Sequence, residues 1–111
     1  MKKHLLWWRR LVSRFSRKRR LVVVAGDSLP DILPRRDLVL ARDDGEDWCV
    51  GLYCPCGCGD KLEMIVLEGV KPRWDVLVDG KGHVSLRPSV WRQNGCKSHF
   101  WVIGGKILWC D

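Results

Sequence analysis

Turn residues cut this chain into short β-forming runs, and that punctuation constrains its fold more than any other feature. LVVVA, DLVLAR, WCVGLY and KLEMIVL are followed by RWDVLV, HVSLRP, HFWVI and KILW. Such runs are rich in β-branched and aromatic residues, which suit a pleated, half-buried surface. DDGED separates the second and third runs as in a hairpin, and Asp79-Gly80-Lys81-Gly82 turns the chain between RWDVLV and HVSLRP. Gly104-Gly105 is a two-residue connection, suited to the positive backbone angles of a primed hairpin turn. Trp74, Val76 and Val78 alternate onto one face. DSLPDILPRR, with two prolines, reads as an irregular connector. About eight short strands with turns between them predict a mainly β fold, a small barrel or sandwich of Rieske-like or zinc-ribbon-like type.

The N-terminus is different. Residues 1–20 hold nine basic side chains and no acid, whereas the rest of the chain is slightly acidic. Residues 4–20 fit an amphipathic helix, with Leu5, Trp7, Trp8, Leu11, Val12 and Phe15 on one arc. The chain is therefore read as a basic helical arm, 1–20, ahead of a β domain, 21–111. Arg9, Arg10, Arg14, Arg17, Lys18, Arg19 and Arg20 are its candidate contacts to nucleic-acid phosphates or an anionic membrane surface. The apolar arc could instead dock on the β domain or on a protein partner. The longest apolar stretch, LVVVA, is far too short to span a bilayer or to form a signal-peptide core. A cytoplasmic protein is expected, and in a reducing cytoplasm its six cysteines are read as thiols or metal ligands.

Four of those cysteines have ligand spacing. YCPCGCGD places Cys54, Cys56 and Cys58 at alternate positions in a loop of Pro and Gly, and NGCKSHFW adds Cys96 and His99. Gly57 and Gly59 allow the backbone to wrap around something small. A metal stabilises thiolates by displacing their protons outright. Two loops offering Cys and His ligands describe tetrahedral zinc or an iron–sulfur cluster. The most economical set is Cys56, Cys58, Cys96 and His99, with Cys54 as a fifth candidate. A shell of four protein ligands has no position for a catalytic water, so such a site is structural. Cys49 and Cys110 lack partners at ligand spacing and are read as small buried side chains.

Cys-x-Cys followed by Cys-x-x-His resembles the Rieske [2Fe–2S] pattern, which places Cys-x-His in one loop and Cys-x-x-His in the next. Cys58 stands where that pattern has His. The order CPCGCG, PRWDVLVDG, VSLRPSV, CKSHFWVIGGKILW also resembles a bacterial family of small proteins. That family is encoded beside ubiquitin-like proteins and their activating and conjugating enzymes. The resemblance implies a metal-binding accessory role in a conjugation pathway.

No catalytic constellation stands out. His83 has no paired acid in sequence, Asp43, Asp44, Glu46 and Asp47 read as a solvated turn, and Ser85 and Ser89 lack a nucleophile context. The sequence therefore points away from an enzyme. It points to a zinc-stiffened adaptor for a protein partner in a ubiquitin-like conjugation system. The alternatives are a Rieske-like electron carrier and a nucleic-acid binder acting through the arm.

Overall fold

The computed structural model describes residues 17–110. Eight strands run in sequence order: β1 (Leu21–Ala25), β2 (Leu38–Asp43), β3 (Glu46–Tyr53), β4 (Lys61–Ile65), β5 (Asp75–Val78), β6 (Val84–Trp91), β7 (His99–Ile103) and β8 (Lys106–Trp109). They form two four-stranded sheets, ordered β1-β2-β3-β4 and β5-β6-β7-β8. The β1–β2 pair is parallel and every other pair is antiparallel. The mainly β expectation holds. The strands of the described residues close no barrel.

The two sheets share one core, and the residues that build it follow the pleat. Phe100 and Val102 of β7 and Ile107 of β8 turn inward, as do Val84, Leu86 and Val90 of β6. They meet Leu38, Leu40, Val50 and Leu52 of the first sheet. Fully burying such a side chain contributes about 1.5–3 kcal/mol, so this shared core is the main glue between the sheets. The 26–37 connector crosses the other face of the first sheet. Leu29 lies against Gly51, where a Cβ would meet the leucine Cδ1 and stand 3.1 Å from the Leu62 carbonyl oxygen. Glycine in the middle of β3 is thus explained by close approach. Gly104 and Gly105, with φ of 55° and 81°, make the tight β7–β8 turn the sequence predicts.

The predicted N-terminal helix lies, up to residue 16, outside the described residues. Its last turn does not form. Residues 17–19 carry no regular structure, and Arg20 bridges to His83. Arg19 of the arm is instead stitched to the second sheet at both its backbone groups: its N–H donates to the Gly105 carbonyl, and Val84 N–H donates to its carbonyl. The Arg19 side chain is buried and donates to the Arg36 carbonyl. Burial, with the neighbouring Arg36 charge, lowers its pKa to about 10. Of the proposed phosphate or membrane contacts, Arg17, Lys18 and Arg20 are exposed and Arg19 is not, because backbone pairing turns it inward. Arg9, Arg10 and Arg14 lie outside the described residues.

Candidate functional site: a thiol quartet and a serine–histidine pair

The candidate sulfur ligands come from loops that belong to different sheets. Cys54, Cys56 and Cys58 lie between β3 and β4, and Cys96 lies between β6 and β7. The first loop closes on itself through hydrogen bonds from Cys54 N–H to the Asp60 carbonyl and from Gly57 N–H to the Cys54 carbonyl. Gly57 and Gly59 adopt φ of 89° and 86°, which a side chain would resist. The four Sγ atoms fall within 4.8 Å of one another. A tetrahedral ion with metal–sulfur bonds of about 2.3 Å needs sulfur separations of about 3.8 Å. Cys54 and Cys96 Sγ stand 3.6 Å apart. The quartet therefore needs only a small contraction to hold one metal ion.

Its surroundings suit thiolates. Arg92 Nη1 donates to Cys96 Sγ at 3.1 Å and to Cys58 Sγ at 3.6 Å, while Nη2 pairs with Asp60 at 2.9 Å. Cys58 N–H donates to Cys56 Sγ at 3.3 Å. The buried Ser98 hydroxyl lies 3.1 Å from Cys96 Sγ. Burial pushes the Cys54 thiol up to about 12, and it also raises Cys58. Burial acts the same way on Cys96, but the hydrogen bonds of Ser98 and neighbouring thiols outweigh it and lower that thiol to about 6. Without a metal, the anion is thus favoured on Cys96 and disfavoured on Cys54 and Cys58. Cys49 is buried in β3 and Cys110 is half-buried, both outside the quartet.

His99 stands elsewhere. The structure brings together Cys54, Cys56, Cys58 and Cys96, and it directs the His99 imidazole to the Ser89 hydroxyl, with Nε2 and Oγ 2.9 Å apart. The reason is the pleat of β7. Phe100 and Val102 point into the core, so His99, Trp101 and Ile103 share the outer face. The register pairs Leu86 with Val102 and Val90 with Phe100, so Arg87, Pro88 and Ser89 together oppose the single residue Trp101. Such a bulge re-aims side chains, and here it delivers the Ser89 hydroxyl to the neighbouring strand. Trp91 pairs with His99 across the strands and stacks on its ring, with centroids 4.9 Å apart and planes 13° from parallel. The Trp74 indole N–H donates to the Ser89 carbonyl, and Cys110 N–H donates to the His99 carbonyl.

The sequence reading missed this pair. Its usable signals were Pro88, which interrupts an otherwise alternating strand, and the aromatic residues flanking Ser89 and His99. Two other expectations change in detail. His83 does meet an acid, with Nδ1 3.4 Å from Asp79 Oδ2. Asp79 also accepts from the Lys81 and His83 amides, and the His83 amide leads the causes that lower its pKa, so this is the scaffold of a turn. In the acidic hairpin Asp47 pairs with Arg42 at 2.7 Å.

Over residues 25–110 the chain matches the family model of BubE, described as a bacterial ubiquitination-like system serine protease. The chain belongs to this family. The resemblance carried by CPCGCG and CKSHFW led to the same conjugation setting. The family's description adds a hydrolytic activity that the motifs did not suggest. No curated protein and no solved structure matches the chain. Among the described residues no helix is long and apolar enough to cross a membrane.

Proposed function

We propose that this protein is a serine hydrolase acting on polypeptide acyl bonds within a bacterial ubiquitination-like system, built on a structural zinc site. The observation that carries the reading is the 2.9 Å contact between Ser89 Oγ and His99 Nε2. The description of the family, a serine protease, agrees with it. With its proton on Nδ1, the imidazole accepts the Ser89 hydroxyl proton at Nε2. Oγ then adds to the substrate carbonyl carbon, and the tetrahedral adduct collapses as Nε2 returns the proton to the leaving amine. Water, deprotonated by the same nitrogen, then adds to the acyl carbon, and Nε2 returns the proton to Ser89 Oγ as the C–Oγ bond breaks and the carboxylic acid leaves. General-base help of this kind contributes about 10²–10⁴-fold.

The metal has a separate role. Four thiolates at single-ion spacing suit zinc, and a closed shell of this kind is structural. A [2Fe–2S] cluster spreads its ligands over two irons, and a Rieske centre needs imidazole on one of them. The quartet offers four thiolates and no imidazole, so it gives the Rieske pattern no support of its own. When bound, zinc ties the β3–β4 loop of one sheet to the β6–β7 loop of the other. Cys54, Cys56, Cys58 and Cys96 would be its ligands, with Arg92 and Ser98 hydrogen-bonding to the sulfurs. The adaptor reading accounts for this metal site and for a protein partner. It leaves the serine–histidine pair without a task.

The test is pre-steady-state hydrolysis of a p-nitrophenyl ester by the zinc-loaded protein. The expected result is a burst of nitrophenolate equal to the protein concentration, absent in Ser89→Ala and kept in Ser85→Ala. A burst that survives Ser89→Ala, or no burst in the unaltered protein, would overturn the proposal.

A further inference from the structure

Trp91 is the most exposed of the described tryptophans that lie in strands, at 62%, and it ends β6 on the outer face of the second sheet. So large an apolar surface left in water contributes little to the core. What it does touch is His99, lying nearly parallel to the imidazole. Aromatic pairs in such stacks gain more than their area burial alone provides, which favours one ring orientation. A serine–histidine pair needs that help, because an imidazole free to rotate about its side-chain bonds seldom presents Nε2 to the hydroxyl. In familiar triads a carboxylate on Nδ1 orients the ring. Among the described residues, the hydrogen bond of the His99 ring is to Ser89 alone.

We infer that Trp91 is the positioning residue for His99, its indole face taking the place that an orienting carboxylate fills elsewhere. This rests on the serine-hydrolase reading. The cross-strand pairing of Trp91 with His99 fixes the separation of the two Cα atoms, and the Cys110 amide holds the His99 backbone from the other edge. The stack then leaves the ring one useful pose, with Nε2 against Ser89 Oγ. The two partners also stand at the two ends of the β6–β7 loop, which Cys96 and Arg92 tie to the thiol quartet. Metal binding and ring orientation are therefore linked through one short segment.

The experiment uses the full-length, zinc-loaded protein and compares the unaltered chain with Trp91→Phe, Trp91→Val and Ser89→Ala. Three readouts are taken: labelling rate with a fluorophosphonate, kcat and KM on a p-nitrophenyl ester, and the His99 ring-proton shifts by NMR. Trp91→Val should label about tenfold slower or worse, with the loss in kcat and not in KM, since small displacements of a reacting group cost that much. Trp91→Phe, which keeps an aromatic face, should recover most of the rate. The His99 ring protons should lie upfield in the unaltered protein and move downfield in Trp91→Val, while zinc content stays the same. An unaltered protein that labels, with Trp91→Val labelling equally fast or His99 shifts unmoved, overturns this inference and spares the hydrolase reading. An unaltered protein as silent as Ser89→Ala sinks both.

Discussion

The thiol quartet and the serine–histidine pair meet in one segment, where Cys96 lies between Ser89 and His99, yet they are built in opposite ways. The quartet gathers side chains from loops of different sheets, and no backbone pairing sets the distance between them. Its two most buried members, Cys54 and Cys56, belong to the hydrophobic core. The pair takes both residues from adjacent strands of one sheet, where register and a bulge set the spacing before any side chain acts. The difference teaches which part needs an ion. Loops of Gly and Pro fix four sulfurs less firmly than the β6–β7 ladder fixes Ser89 beside His99. On the proposed reading a metal's contribution to the pair is indirect, through the loop they share.

The sharpest way to break this division is to remove a ligand. Cys54→Ser or Cys96→Ser should lose zinc and unfold the protein cooperatively at ordinary temperature, seen by circular dichroism and elemental analysis. Zinc binding contributes on the order of 10–16 kcal/mol in small zinc-dependent domains. A domain's whole net stability is roughly 5–15 kcal/mol. Ser89→Ala should act on the other half alone, removing at least about 10³-fold of the acylation rate. The loss of one hydrogen bond should shift stability by only about 1 kcal/mol in denaturant titration.

His99→Ala separates the two regions from the opposite side. The sequence spacing Cys96-x-x-His99 makes it a metal ligand, and the quartet proposed here makes it none. The variant should keep one zinc per chain and its cooperative melt while losing acylation. Loss of zinc on that substitution would restore His99 to the metal shell.

Smaller effects grade the coupling. Arg92→Gln removes donors to Cys96 and Cys58, and should weaken zinc about 10–100-fold in a chelator competition. The pH dependence follows from the buried thiols. With the Cys54 thiol raised to about 12 in the metal-free fold, zinc uptake must expel its proton. Zinc affinity should therefore fall as pH falls, and uptake in weak buffer should acidify the solution.

What was legible in the sequence follows the same division. Strands announce themselves by alternation, and Gly104-Gly105 announces its turn, because both are local. The cysteines announce themselves by chemistry, since three thiols in a Gly-rich loop have few other uses. Spacing alone ranks His99 ahead of Cys54, because counting residues between Cys96 and His99 ignores the strand that starts at His99. Once β7 begins there, the pleat sends the imidazole to the outer face with Trp101 and Ile103. Ser89 was hidden for a similar reason. Its partner comes from the next strand, and the bulge that aims it exists only when β6 pairs with β7. The arm was judged by charge, yet Arg19 is fixed by backbone bonds to Gly105 and Val84 that no charge count contains.

The most direct test of the account is the mass of the intact zinc-loaded protein after reaction with a fluorophosphonate, followed by peptide mapping of the adduct. The account expects a single adduct on Ser89, absent from Ser89→Ala and from protein unfolded by chelation. No adduct on the folded protein, or an adduct that maps to another residue, would contradict it.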